Sequence, residues 1–518
     1  LNPERVFLNF GPYAVAPSVT GMDLETQFRG FCHRGLRRTP VVDADFWQIF
    51  LVDARLRCRC NFDPIDFHDN LFWHWLKTSK YNQNQRAELV LTEHEYPDLD
   101  SPPWNAFVHS CFTKLEATDT GRDGAIEKHG RAIYGCSPWI KSQVSPVVHY
   151  CEQLVFKSID KDQGFTPFIK LIPDRLRPSF IRQHLTLPYV YVTDHTAFEA
   201  HIHNRASSLE CELFDHLTRN MPNRRKFMKV IRKLLCGKKI AKFNEFKVKF
   251  KGGRMSGDPS TSLGNGYINW QLICFLAKCF NVDCQKIVEG DDGVFCTSEP
   301  INLKIANEIF ALLGFTIKIS EAHDVETAGF ISNYLTEDDY IIRDPVEPMC
   351  RNWSFLNGSG DSLKSLLRAK GLSMKYMYIG CPILGVFAQR MIDLTEGHVA
   401  RFDSRSSYRD HHVLEHIRQF GEESLAKEPL RILPSARMQM WSLFGYDESL
   451  QLQMESDLSR AGFGYFKFDW DWIFPTAWCN YHDQYSLDRV AGQTRDVTTT
   501  YHNNYELLPD ILNELRLR

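Results

Sequence analysis

Residues 286–297 read KIVEGDDGVFCT. Two short runs with strand character, 286–289 and 293–296, flank a turn carrying Gly290, Asp291 and Asp292. Asp-Gly between apolar, β-branched residues is a strong hairpin signal. The turn thus puts adjacent carboxylates at its tip. Like charges held side by side raise one another's pKa unless a cation lies between them. Oxygen-only ligands of this kind suit Mg²⁺ or Mn²⁺, and two such ions can clamp the attacking and leaving oxygens of a phosphoryl transfer. The same tripeptide also occurs as an ordinary exposed turn, so its neighbours decide the reading.

Immediately upstream lies RMSGDPSTSLGNGYINWQLICFLAKCF, residues 254–280. Ser256, Gly257 and Pro259 predict a loop, and a helix follows from about Thr261. Thr261, Asn265 and Asn269 recur every fourth residue and share one face, while Leu263, Tyr267, Trp270 and Cys274 supply the packing. A polar stripe on an apolar helix needs partners. Further upstream, residues 187–201 read LPYVYVTDHTAFEAH. The apolar run 189–192 predicts a buried strand that ends at Asp194, where a strand's carboxyl end would present a ligand. Glu199 follows after a turn into a helix. His195, His201 and His203 lack the Cys/His partners of a zinc site.

Between these stretches, residues 219–254 hold fourteen Lys and Arg against one acid, Glu245. Lys247, Lys249 and Lys251 alternate with apolar positions, as in a strand with one cationic face, and Phe243, Phe246 and Phe250 interleave. The whole chain of 518 residues carries a net charge of −3 and a pI near 6.7. Polyanion binding must therefore come from a local basic groove of this kind. Residues 112–139 hold two more possible strands, 112–115 and 131–134, around a Gly/Asp loop, with Lys114, Lys128 and Arg131 placed to cradle a triphosphate. A further basic cluster, Arg34, Arg37 and Arg38, reads as a solvated face.

Downstream, 301–313 reads as an amphipathic helix stopped by Gly314, 315–319 as a strand bearing Lys318, and 329–334 (GFISNY) as another strand. Residues 143–157 have helical spacing, and the pattern beyond Pro345 is mainly helical. The aromatic block 463–478 reads as core. Hydrophobic content of 43% describes a globular chain of roughly three lobes, and fifteen scattered cysteines indicate free thiols in a reducing compartment. No signal peptide is expected. The apolar stretch 376–390 is too short to span a bilayer. A chain beginning at Leu1 without Met is expected to be a fragment or a processed product.

In order, these stretches resemble the motifs of viral RNA-dependent RNA polymerases, closest to those of tombusvirus-like and nodavirus-like positive-strand RNA replicases. FTKLE and EKHGRAI resemble the fingers motif, DHTAFE the first palm motif, SGDPSTSLGN the second and GDD the third. GFTIKIS and GFISNY resemble the fourth and fifth. The resemblance covers about 112–334; residues 1–100 and 345–518 match only loosely. It implies an α+β right-hand polymerase whose palm is an antiparallel sheet with packed helices and whose thumb is mainly helical. The implied division is an N-terminal extension with fingertips (1–103), fingers (104–186), first palm motif (187–218), basic fingers insertion (219–255), catalytic palm (256–344) and thumb with C-terminal region (345–518).

The resemblance also implies roles. Asp194 and Asp291, with Asp292, would hold two Mg²⁺ or Mn²⁺ ions. Lys114, Lys128 and Arg131 would bind the NTP, and Asn265 with Thr261 and Ser256 would read its 2′-hydroxyl. Lys318 would protonate pyrophosphate. Lys247, Lys249, Lys251 and Arg254 would contact RNA. Glu199 stands where such polymerases usually carry Asp, and is expected to reach Asn265 and the ribose, the alternative being that its carboxylate approaches a metal. Partners would be RNA template and product, NTPs and other viral replication proteins. The implied location is the host cytoplasm, in a membrane-associated complex tethered by another region or protein. Two other readings are a DNA-making palm polymerase and an inactive palm that binds or scaffolds RNA.

Overall fold

The hairpin closes as its sequence predicts. Cys284–Glu289 and Asp292–Thr297 pair antiparallel, and Asp292 is the first residue of the second strand. Gly290 has φ +62° while Asp291 keeps an ordinary φ, the pattern of a type II′ hairpin turn. This geometry comes from a computed structural model that describes residues 6–7, 18–19, 23–67, 70–114, 117–118, 130–195, 197–351, 354–355, 361–402, 409–462 and 468–474.

Two four-stranded sheets carry the architecture, with several two-stranded pairings elsewhere. In chain order their strands are β1 (Val108–Thr113), β2 (Ala132–Gly135), β3 (Tyr189–His195), β4 (Lys239–Lys242), β5 (Lys247–Phe250), β6 (Cys284–Glu289), β7 (Asp292–Thr297) and β8 (Ile317–Ala322). The first sheet runs β8-β3-β7-β6 and is antiparallel throughout. The second runs β2-β1-β4-β5, with β1 and β4 parallel.

The first sheet is covered on both faces, which explains its continuous apolar runs. Tyr191, Val288, Phe295, Ile317 and Ile319 pack toward the helix Thr261–Phe280, itself almost wholly buried through Tyr267, Trp270 and Phe275. Val190, Ile287, Val294 and Cys296 face a second cluster with Phe165, Ile169, Ile181 and Phe330. Gly293 is required here, because a Cβ would lie 2.6 Å from Thr193 Oγ1 and 3.1 Å from Ile273. The second sheet packs its inner face on the N-terminal segment: Phe31, Cys32, Cys111, Tyr134, Ala241, Phe243 and Met255 form one cluster, joined by Phe246 and Phe250. The interleaved phenylalanines of the basic segment are thus core, and Lys247 and Lys249 of β5 face outward while Lys239 at the start of β4 is buried.

Several local expectations change. Ile331 and Ser332 both have positive φ, so GFISNY is no continuous strand; Phe330 bridges Asn333 across a tight turn before the short strand Tyr334–Leu335. The helical stretch at 143–157 is Ser145–Val155, preceded by a separate helix Pro138–Gln143. In the basic segment, Arg224–Cys236 is an amphipathic helix that buries Phe227, Ile231 and Leu234, and β4 and β5 come only after it.

Beyond 345 the described residues are mainly helical. Asp361–Tyr378, Leu384–Asp393, Pro434–Phe444 and Glu448–Arg460 surround a core of Leu367, Phe387, Met391, Met440, Met454 and Leu458. Of the aromatic block, Trp470 and Phe474 join that core while Trp472 is exposed; 463–467 and 475–478 lie outside the described residues. Among the described residues no helix is long and apolar enough to cross a membrane.

Candidate active site

Register builds the site. Lys318 pairs with Asp194 across β8 and β3, Gly293 pairs with Thr193 across β7 and β3, and Asp292 pairs with Glu289. Continuing the β3–β7 register by one step puts Asp292 opposite Asp194. One row across the end of the sheet therefore reads Lys318, Asp194, Asp292, Glu289, with Asp291 at the adjoining turn. Side chains in one such row share a face. The outermost member, Glu289, is paired with Arg177 at 2.7 Å.

The turn is fastened from below by the polar stripe on the long helix. Asn269, 1% exposed, donates from Nδ2 to the carbonyls of Gly290 at 3.3 Å and Asp292 at 3.1 Å. Its Oδ1 lies 3.3 Å from His195 Nε2. Burial lowers the His195 pKa to about 3, so the ring is neutral, and its Nε2–H donates to the amide oxygen. The chain His195→Asn269→turn carbonyls thereby ties β3 to the tip that holds Asp291. His201 Nδ1 faces the Ala197 carbonyl, and His203 links Ala206 N to the Leu313 carbonyl. Each histidine thus has a structural task.

Charge at the tip is unbalanced. Burial, with Glu199 and Asp194 nearby, pushes the Asp291 carboxyl up, and Arg34 opposes the shift. Arg34 Nε lies 2.9 Å from Glu199 Oε1. It belongs to a short π-helical segment, Phe31–Gly35, which the cluster of Phe31, Tyr134 and Phe243 pins against the second sheet. The expectation of a solvated face for Arg34 therefore fails; in the sequence only its place in a basic cluster hints at this role. Among the described residues no three His, Cys, Asp or Glu side chains are grouped so as to hold a metal ion by themselves. Mg²⁺ normally uses one or two carboxylates and completes its shell with water and phosphate. A cluster of acids around Asp291, whose carboxyl is pushed up by burial and by its acidic neighbours, with one opposing cation, fits such an open site.

Asn265 has a different partner from the expected one. Glu199's carboxylate is taken by Arg34, while Asn265 Oδ1 accepts from Arg254 Nε at 3.1 Å. A guanidinium outcompetes a neutral amide for a carboxylate. Arg254, expected as an RNA contact, is 5% exposed and ion-paired with Glu210 at 2.6 Å, so it cannot reach a phosphate from this position. Thr261 Oγ1 donates to the carbonyls of Met255 and Asp258, and Ser256 Oγ to that of Ala132. The loop carrying Ser256 is pressed onto β2, where Gly257 bridges Gly135. Asp258 fixes it further through buried His109, at 2.7 Å.

The remaining candidates sit on the second sheet. Lys114 N donates to the Arg131 carbonyl at 2.7 Å, so those two residues face each other just beyond the β1–β2 pairing. Lys128 lies outside the described residues. Lys247 and Lys249 alternate outward on β5, and Lys251 is exposed just after it.

Comparison with known proteins gives the family to which this sheet and helix belong. The family model described as viral RNA dependent RNA polymerase matches residues 182–464, which includes both aspartate strands, the long helix and most of the C-terminal helices. The RNA-directed RNA polymerase of Pothos latent virus (isolate Pigeonpea/India) is 28% identical over 215 residues, 40% of this chain and 27% of the relative. That of Tobacco necrosis virus (strain A) is 28% identical over 203 residues, 38% and 28% of the two chains. That of Tobacco necrosis virus (strain D) is 24% identical over 404 residues, 73% of this chain and 53% of the relative. The matched segments thus span about half or less of these relatives' lengths. With the family match covering more than half of its 518 residues, the chain belongs to the viral RNA dependent RNA polymerase family.

Proposed function

We propose that this chain performs template-directed RNA synthesis from NTPs, replicating a viral RNA genome by nucleotidyl transfer. The observation that carries the reading is the row Lys318, Asp194, Asp292 with Asp291 at the adjoining turn, beside the helix that bears Asn265. Two bound Mg²⁺ or Mn²⁺ ions would supply charge neutralisation for the attacking 3′-hydroxyl and the leaving pyrophosphate. Asp194 and Asp291, with Asp292 assisting, are the residues to hold them. Lys318 stands in the same row, on the strand next to Asp194, and would deliver a proton to pyrophosphate. Lys114 and Arg131, with Lys128, would grip the triphosphate, and Asn265, Thr261 and Ser256 would face the sugar. Catalysis on this plan is mainly positioning and electrostatics.

The two sheets and the C-terminal helices support a division into fingers (104–186 and 219–255), palm (187–218 and 256–344) and a helical thumb (345–518), with 1–103 as N-terminal extension. The outward lysines of β5 would contact RNA. Partners would be RNA, NTPs and other viral replication proteins, and the location the host cytoplasm, in a membrane-associated replication complex.

A primer-extension assay with a defined RNA template tests this. Extension by rNTPs with Mg²⁺, abolished by EDTA, is expected. Extension by dNTPs in preference would point to a DNA-making enzyme. Template binding without extension would leave an RNA-binding scaffold.

A further inference from the structure

Arg254 sits directly before the Ser256 loop, yet it is buried and makes no use of its charge at the surface. Its backbone N–H donates to the Glu199 carbonyl at 2.7 Å, and its Nε to Asn265 Oδ1 at 3.1 Å. Its Nη2 lies 2.6 Å from Glu210 Oε2, and Glu210 is 0% exposed. Among the described residues Glu210's carboxylate has no hydrogen-bond donor, so the guanidinium is its close counter-charge. Gly264, the residue before Asn265, makes room for this pair: a Cβ there would collide with the Glu210 carboxylate and the guanidinium. Three elements therefore converge on this one residue: the helix Phe198–His201 on its backbone N–H, and the helix Asn204–Leu217 and the long helix Thr261–Phe280 on its guanidinium.

A guanidinium can only donate hydrogen bonds. The atom of Asn265 that faces Arg254 must therefore be the amide oxygen, and the amide nitrogen must point the other way. Left free to rotate, an amide could offer a sugar hydroxyl either a donor or an acceptor. Held this way, the side turned away from Arg254 presents the Nδ2 donor.

We infer that Arg254, fixed by buried Glu210, is the positioning residue that sets the orientation of the Asn265 amide and so sets selection of ribose over deoxyribose. This rests on the proposed reading that Asn265 faces the sugar. It assigns to Arg254 and Glu210 the orienting task that the sequence resemblance gave to Glu199. A site built to hydrogen-bond a hydroxyl discriminates through the polar group left unpaired when that hydroxyl is missing. An amide that swings freely can turn its donor to solvent, and the penalty against dNTP then shrinks.

The test measures kcat/KM for matched rNTP and dNTP pairs in the full chain. Arg254→Lys keeps the charge opposite Glu210 but loses the planar fork that reaches two partners at once. It should narrow the rNTP:dNTP ratio by about tenfold, mainly through faster dNTP use, while rNTP turnover stays within a few-fold. A merely structural role would lower both substrates alike and leave the ratio unchanged. The double variant Arg254→Met/Glu210→Met removes the buried pair together, a change that proteins often accept without loss of stability. It should narrow the ratio equally, and it keeps the question answerable should Arg254→Lys fold poorly. Asn265→Ala separates the two layers of the argument. A narrowed ratio there with an unchanged ratio in both Arg254 variants overturns this inference alone. An unchanged ratio in Asn265→Ala overturns the sugar-reading role and this inference with it.

Discussion

Replacing Asn269 by Leu tests whether the aspartate tip is placed by the helix beneath it. Leucine is close in size and keeps the apolar packing, but it removes two bonds to the carbonyls of Gly290 and Asp292 and the acceptor for His195. Each such bond contributes about 1 kcal/mol net. Gly290 and Asp292 are half-buried, whereas the buried His195 N–H is orphaned outright, which adds a further ~1 kcal/mol. The loss of stability should be about 3–4 kcal/mol on this count, or roughly 3–4 °C in Tm at ~1 °C per kcal/mol for a chain of this size. The larger effect should be kinetic. A shift of the carboxylates by ~1 Å costs on the order of a hundredfold in rate. The assay is steady-state primer extension well below the variant's Tm, beside Ile273→Val, which trims the same helix near Gly293 without touching the turn. If Asn269→Leu melts earlier but turns over as fast as Ile273→Val, the bonds hold the fold and do not position the site.

Asp291→Asn should lower turnover by about a thousandfold or more while RNA binding persists; because burial and nearby acids disfavour the native charge, it should also raise Tm in metal-free buffer. An acid with a raised pKa holds its charge above that pKa and loses it as pH falls through it. Half-saturating Mg²⁺ should therefore climb on acidification, with the climb moved to higher pH in Arg34→Gln and to lower pH in Glu199→Gln. Glu199→Gln should leave the rNTP:dNTP ratio within about threefold, since its carboxylate pairs with Arg34 and not with Asn265. Neutralising Lys247, Lys249 and Lys251 should flatten the slope of log affinity against log salt by roughly 0.7 for each single-strand phosphate no longer neutralised, and an unchanged slope would return them to plain solvation. In the aromatic block, Trp470→Ala should cost about 3–5 kcal/mol of stability, while exposed Trp472→Ala should be nearly silent in Tm.

Elements whose signals are local could be read from the residues alone. The Gly290-Asp291 hairpin, the strand ending near Asp194, the long helix from Thr261 and the stop at Gly314 all follow from periodicity and turn chemistry within a few residues. Their order and spacing were enough to show the family resemblance. Which residues partner one another emerged only from the folded chain. Glu199 meets Arg34 because the N-terminal segment packs its phenylalanines into the second sheet, and no local pattern encodes that docking. Arg254 reads as one more surface cation in a basic run, yet the fold buries it against Glu210 on another helix. GFISNY has strand composition, but the bridge from Phe330 to Asn333 turns it back on itself. Asn269 was legible as a polar residue in need of a partner; which one required the register of β3 against β7. Charges and amides act over a few ångströms in space, and chain separation does not report those distances.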